Sequence, residues 1–280
     1  MCFTYGFWER NRFLGLPGLP QGRVSLLLMS PEVPELCDSV GRLGIHVVTT
    51  HPSCVLPPPV QFHPDMLTCY LGNGRIILPQ SESTLQKKLQ YFGAQTIFTR
   101  DFLERNYPKD AGCNVLSIGN HVFYNPRSAD QEILHQCFYQ QHHKIAQGYT
   151  RCSVAVVNAN SVMTSDRGLS KTMQQAGFQV LELEPGHIQL PGYEYGFIGG
   201  CCGLIAPNVL AFTGSLNTHP DGDRIKQFLQ NQKAEFIELS AKPLRDIGGL
   251  IPLKEWMESP KDLEGSCGEG LTVTPKKSKI

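Results

Sequence analysis

The feature that most constrains this chain is a recurring unit: two short strands joined by a tight turn, then a helix, then a third strand. Its clearest copy begins at Met66, where MLTCYL and RIIL flank Gly72-Asn73-Gly74. That turn is a strong hairpin signal, because Gly and Asn accept the positive φ that short hairpins need. SESTLQKKLQYFG follows as an amphipathic helix with Ser83 and Gly93 as end signals, and TIF at 96–98 reads as the closing strand. A second copy opens at Cys113, where NVLSI and HVFY flank Gly119-Asn120 and SADQEILHQCFYQQHH is the helix candidate. A third opens at Cys152, with SVAVV and SVMT around Asn158-Ala159-Asn160, the helix RGLSKTMQQAG and the strand QVLEL. The fourth opens at Gly199-Gly200 and runs through GLIA, NVLAFTG, DRIKQFLQNQ and EFIEL.

What remains completes the series from both directions. VSLLLM, the helix PEVPELCDSVGRLG and the strand HVVTT lack a leading strand, and DIGGLIPL is a lone apolar strand with no helix behind it. If the two pair, a fifth unit is made, and the unit openings fall near 65, 113, 152, 201 and 247, spaced 39 to 49 residues apart. A unit this small cannot bury its own apolar face, so neighbours must share a core. The expected fold class is therefore α/β, a five-bladed ring (an α/β propeller) of ββαβ units with pseudo-fivefold symmetry. The alternative is an ordinary mixed sheet in which the similar unit lengths are accidental. The expected organisation is an N-terminal arm over 1–21, one ring domain over 22–258, and a flexible Gly-, Ser- and Lys-rich tail over 259–280.

Charge and cysteine usage narrow the function classes. Lys plus Arg and Asp plus Glu both number 25, so no global field draws the chain to nucleic acid or to a membrane surface, and neither partner is expected. Ten cysteines occur without a C-x-x-C or any finger-like Cys/His spacing, so neither a zinc site nor a disulfide framework is expected. The first residues have no uninterrupted apolar stretch of the kind a signal peptide carries, and nowhere do 18 apolar residues run together. A cytoplasmic protein with reduced thiols is the expectation.

With the openings HPDM, GFIGGCCGLI and DIGGLIPL in place, the chain resembles the pentein, or guanidino-group-modifying, superfamily over roughly residues 22–255, and looks closest to a poorly characterised branch of it. Those proteins are five-bladed rings of ββαβ units around a central channel. They include arginine and agmatine deiminases, amidinotransferases, dimethylarginine hydrolases and a non-catalytic ribosome-binding initiation factor. The resemblance implies a small polar, guanidino-type ligand in the channel and, if the protein is an enzyme, hydrolysis or transfer at a C–N bond without cofactor or metal.

Site residues follow from the same resemblance. His63-Pro64-Asp65 matches the enzymes' His-x-Asp, which makes His63 the candidate acid/base and Asp65 a candidate grip for a guanidinium. A planar cation with several N–H donors suits a carboxylate's paired oxygens, and a near-neutral imidazole can move protons. Asp246 opens the last apolar strand and is a second candidate carboxylate, although Asp246-Ile247-Gly248-Gly249 only partly matches the family's Gly-Gly-acid motif. The departure is at the nucleophile. The enzymes end in Gly-Gly-Gly-x-x-His-Cys, whereas here Leu253 stands in the cysteine's place and Pro252 in the histidine's. Either the chemistry is absent or another unit supplies the thiol.

Four cysteines open units: Cys113, Cys152, Cys201 and Cys202. Cys113, one unit after His63, and Cys201 are taken forward as candidate nucleophiles. The competing reading is that each is a small buried hydrophobe. His219-Pro220-Asp221 suits a helix start, with His219 a candidate substrate contact. Ser165 or Asp166 is the expected cap of the helix that follows. His142-His143 point to different faces of a helix end and make a poor chelate. GFIGGCCGLI lacks the Lys-Ser/Thr of a phosphate loop, while Tyr193 and Tyr195 beside Glu194 are placed to flank a ligand mouth. Two functions stay open: a guanidino-modifying hydrolase or transferase, and a binding module that kept the ring without its catalysis.

Overall fold

The computed structural model describes residues 11–257. Along the chain, β1 (Asn11–Phe13) and β2 (Val24–Met29) precede helix α1 (Pro34–Arg42) and β3 (His46–Thr49). A four-residue helical turn, α2 (Pro64–Leu67), leads into β4 (Cys69–Tyr70), β5 (Arg75–Leu78), α3 (Ser83–Tyr91) and β6 (Gln95–Phe98). The next blade is β7 (Leu116–Ile118), β8 (His121–Tyr124), α4 (Gln131–Gln136) and β9 (Gln141–Lys144). It is followed by β10 (Ala155–Asn158), β11 (Ser161–Thr164), α5 (Arg167–Gln175) and β12 (Gln179–Glu182). Then come β13 (Cys202–Ala206), β14 (Val209–Phe212), α6 (Gly222–Asn231), β15 (Glu235–Glu238) and finally β16 (Ile251–Trp256).

These strands form five separate sheets. Four have three consecutive strands: an antiparallel hairpin, then a helix that returns the chain to a third strand parallel to the second. The fifth is assembled from both directions, in the order β1-β16-β2-β3. There β16 runs antiparallel to β2, with Ile251 opposite Leu28, and supplies the missing leading strand. The chain thus has the five ββαβ blades expected of the ring, one of them closed from both directions.

The repeat is also visible in what each helix buries. One i, i+4 pair per blade faces inward: Leu36 and Val40, Leu85 and Leu89, Ile133 and Cys137, Leu169 and Met173, Ile225 and Leu229. Side chains four apart lie on one helical face, so each blade presents the same two-residue foot to its sheet. The blades do not have private cores. Phe123, Val162 and Leu210, from three neighbouring blades, belong to one continuous cluster, as expected of units too small to fold alone.

Several local expectations need correction. The helix expected over SADQEILHQCFYQQHH ends at Gln136, and Gln141–Lys144 is the closing strand, in parallel register with His121–Tyr124. His142 and His143 therefore alternate across a sheet and do not end a helix. His63 does not precede a strand directly: it is the N-cap of α2, with Pro64 at a first-turn position. Asp166 caps α5 through the Leu169 N–H at 2.8 Å, as the sequence suggests. Asn11–Phe13, within the segment set apart as an arm, pairs with β16. The tail over 259–280 lies outside the described residues. Among the described residues, no helix is long and apolar enough to cross a membrane.

The ring axis is nearly filled. Residues from the leading strand of every blade, among them Cys69, Ser117, Val156, Cys202 and Ile251, enclose only about 40 Å³ there. A larger cavity of about 270 Å³ lies among the segments that run into those strands.

Candidate active site at the ring mouth

Every blade contributes to that larger cavity. Its wall includes His63 and Met66 from the run into β4, Asp110 from the run into β7, Tyr149 and Cys152 before β10, Phe197 before β13, and Asp246 before β16. A pseudo-symmetric ring brings equivalent segments together at one mouth, so residues about 180 positions apart in sequence become neighbours.

Asp246 is held by backbone. Its Oδ2 accepts the Phe197 N–H at 2.8 Å and its Oδ1 accepts the Gly248 N–H at 2.9 Å. Two glycines make the seat. A Cβ on Gly200 would run into the Asp246 carboxylate, and Gly248, at φ +78°, would bring a Cβ within 2.6 Å of His63 Cα. The glycine pairs noted in the sequence are thus a packing device, and what they accommodate is a site carboxylate. His63 Nδ1 stands 3.7 Å from Asp246 Oδ1. Burial holds the His63 pKa below the usual histidine value, against the opposing pull of Asp246, so the imidazole is neutral near pH 7. Its Nε2 is buried without a hydrogen-bond partner.

Cys152 is the thiol at this mouth. Its Sγ donates to Asp65 Oδ2 at 2.8 Å and receives the Asn114 amide N–H at 2.8 Å. Asn114 Oδ1 in turn accepts the backbone N–H groups of Arg151 and Cys152, at 2.7 and 3.1 Å, which fixes the turn carrying the sulfur. Burial, then the negative charge of Asp65 and Asp246, pushes the Cys152 thiol well above its ordinary pKa. Burial, and then Asp246, likewise raises Asp65 to about 7. Asp65 is wholly buried behind the sulfur, with its Oδ1 unpartnered. The resting site is therefore a protonated thiol donating to a carboxylate, beside a neutral imidazole.

The structure brings together His63, Asp65 and Asp246 among the residues proposed from sequence, with Cys152 as their thiol. Cys113, Cys201 and His219 do not reach this cavity. Cys113 is buried against Cys69, Val115 and Cys137, where desolvation raises its thiol far above the ordinary range. The following residue, Asn114, is the one that faces the site. Cys201 Sγ donates to the Ile198 carbonyl at 3.2 Å inside the core. His219 accepts the Asp221 N–H through Nδ1 at 3.0 Å beside His187, at the start of α6. Leu253, which the sequence pattern set in the terminal cysteine's place, is buried in the core. Sequence reasoning missed Asn114, Asp110 and Tyr149. Asp110 and Asn114 flank the Cys113 opening, and that proximity was the available signal. All eight described cysteines are free, and among the described residues no cluster of three or more His, Cys, Asp or Glu is arranged for a metal ion.

No curated protein matches the chain in sequence. Solved structures are similar in fold. An inosamine-phosphate amidinotransferase from Streptomyces griseus matches 89% of this chain and 98% of its own, with TM-score 0.56 and 10% identity. A DDAH from Pseudomonas aeruginosa complexed with citrulline matches 84% and 100%, with TM-score 0.51 and 9% identity. An agmatine deiminase from C. jejuni matches 82% and 91%, with TM-score 0.50 and 12% identity. Likeness at such identity is one of fold, and function is argued from the site. The profile of a family of unknown function, DUF6873, matches residues 29–251, and the chain belongs to that family, built on the pentein fold.

Proposed function

We propose that the mouth binds a small cation bearing a guanidino or amidino group, and that Cys152 attacks its central carbon in a hydrolysis or transfer at a C–N bond. One observation carries this reading: a thiol, a neutral imidazole and the Asp246 carboxylate line one cavity, the thiol is bonded to the buried Asp65 behind it, and His63 Nε2 is left unpartnered. A buried polar atom without a partner is costly, about 1–3 kcal/mol, and a ligand N–H at the mouth would satisfy His63 Nε2. The lining contains no Lys or Arg, so a cation meets no like charge there.

The roles differ from a simple transfer of the superfamily pattern. Asp65 is engaged by the thiol and serves best as its proton acceptor, while Asp246 faces the cavity and holds ligand N–H groups. A bound cation offsets the two carboxylates and lowers the thiol pKa, so the nucleophile forms only when substrate is present. The thiol proton passes to Asp65 as Sγ bonds to the amidino carbon. His63 Nε2 takes a proton from an adjacent N–H of the adduct and hands it to the departing nitrogen as the C–N bond breaks. Water or a second amine then adds to the same carbon and gives up its proton to His63 Nε2, and the sulfur leaves as a thiol by taking back the proton held on Asp65. Water yields a ureido product and an amine yields a new guanidine.

The test compares two alkylating agents with the same leaving group, 2-chloroacetamidine (a cation) and 2-chloroacetamide (neutral), with labelled sites located by mass spectrometry. The expected result is at least tenfold faster labelling of Cys152 by the amidine, an advantage lost in Asp246→Asn and reduced in His63→Ala. Equal, slow labelling by both would remove the nucleophile. A second reading, a binding module for such cations, draws on the resting state itself, in which burial and Asp65 hold Cys152 as a thiol. Selective cation binding without any covalent adduct would favour it.

A further inference from the structure

We infer that the same mouth holds a second cation subsite built on Asp110, so that the ligand is a dication without a carboxylate: an amidino group at the Asp246 end and an ammonium group at the Asp110 end. This inference rests on the reading just given and specifies its substrate class. Asp110 is only 4% exposed and lines the cavity that Asp246 and Cys152 line. One oxygen, Oδ2, accepts the Tyr149 hydroxyl at 2.7 Å, while Oδ1 is buried with no partner. Burial pushes its pKa above the ordinary carboxylate value. A buried carboxylate with one satisfied and one open oxygen is completed by a donor, and a cationic donor also repays its desolvation.

The surroundings agree with a cation. Apart from the neutral His63, the charged residues lining the cavity are all acids: Asp110, Glu194 and Asp246. Tyr149, Tyr193, Tyr195 and Phe197 supply aromatic faces, and ring faces attract cations within about 6 Å of their centroids. Val60, Met66 and Leu190 add apolar wall suited to a methylene linker. A ligand with a carboxylate near its amine would set that charge among these acids, where nothing on the lining pairs with it.

Calorimetric titration of the Cys152→Ser protein, which prevents turnover, tests the inference with three probes: 4-guanidinobutylamine, butylguanidine and arginine. The expected result is at least tenfold tighter binding of 4-guanidinobutylamine than of butylguanidine, which lacks the amine. Arginine, which adds a carboxylate, binds at least tenfold more weakly than 4-guanidinobutylamine. Asp110→Asn shrinks the first ratio towards one, and the comparison of probes on the parent protein stands even if that variant folds poorly. Equal binding of the two guanidines, or arginine binding as tightly as 4-guanidinobutylamine, overturns the dication. In that case loss of butylguanidine binding in Asp246→Asn still leaves the amidino site standing. If no guanidine binds at all, the proposed function falls together with the inference.

Discussion

The Sγ of Cys152 and Oδ2 of Asp65 stand 2.8 Å apart, with both residues buried, so the thiol's proton already has its acceptor in the resting site. The same carboxylate that can take the proton also discourages its departure, because its charge raises the thiol pKa. Asp65→Asn lifts that charge, and the free protein is expected to label faster with iodoacetamide at pH 8 by roughly tenfold per pKa unit regained. Slower labelling of the variant would mean that Asp65 activates the sulfur even without ligand.

Asp65 also links stability to pH. Its pKa rises from an ordinary 3.8 to about 7 on folding, so the folded state holds more protons than the unfolded state between those values. Stability contributed by this group is present below pH 4 and falls as pH rises towards 7, by roughly 1–3 kcal/mol. His63, with a lowered pKa, acts in the opposite sense, adding stability as pH rises through the histidine range. The wild-type protein and Asp65→Asn should therefore be compared across pH 4.5–8 by thermal melts. The wild type is expected to lose ground to the variant as pH rises, and a constant difference would contradict the assignment.

Gly200 offers a test of how Asp246 is seated. A Cβ at 200 collides with the Asp246 carboxylate, which is itself fixed by two backbone N–H groups. Gly200→Ala is expected to destabilise the protein by about 1–3 kcal/mol in urea unfolding and to abolish the amidine preference at Cys152. Retained preference would show that Asp246 tolerates displacement.

Asn114 holds the Cys152 sulfur and the turn that carries it, and in the proposed chemistry it would orient the nucleophile without reacting. Asn114→Ala removes the N–H that favours a charged sulfur and leaves two backbone N–H groups unpaired, at a stability cost of about 1–3 kcal/mol. The labelling rate of Cys152 should fall at fixed pH, and its apparent pKa should move up. A stability loss with an unchanged apparent pKa would assign Asn114 to the fold alone.

Glu255 tests the closure of the ring. This buried acid accepts from Arg12 Nε at 2.9 Å and from the backbone N–H groups of Gln21 and Gly22, tying the incoming chain to β16. Glu255→Ala is expected to cost about 3 kcal/mol, seen as a lower urea midpoint. The cavity is built on other segments, so Cys152 labelling in the surviving folded fraction should be unaffected.

The fold was legible because its signal is repeated: turn residues recur in four blades, apolar strands and one i, i+4 helical pair in all five, and each copy supports the others. Single-copy details were less legible. QQHHK reads as a polar helix end because nothing in it alternates in hydrophobicity, yet its place as the closing strand is fixed by parallel pairing with His121–Tyr124. The site was half legible. His63, Asp65 and Asp246 stood out at unit openings, but which cysteine joins them depends on the direction of a single side chain. The two neighbours sit in the turn that leads into β7, where consecutive side chains point apart, so Cys113 packs into the core while Asn114 faces the sulfur. Asp110 and Tyr149 have meaning only as a pair from different blades, and no local pattern announces such a pair.

Because β16 is inserted between β1 and β2, the first blade remains without its inner strand until residues 251–256 have been synthesised. Asp246 arrives in that same last stretch, although the His63 it faces was made 183 residues earlier. Four blades can be present on the ribosome with the thiol and imidazole already in the chain, yet the second carboxylate is still missing. The protein is thus timed by its own topology: the stretch that locks the ring also finishes the mouth, so a chain cut short before Asp246 lacks both the closing strand and the last wall of the cavity.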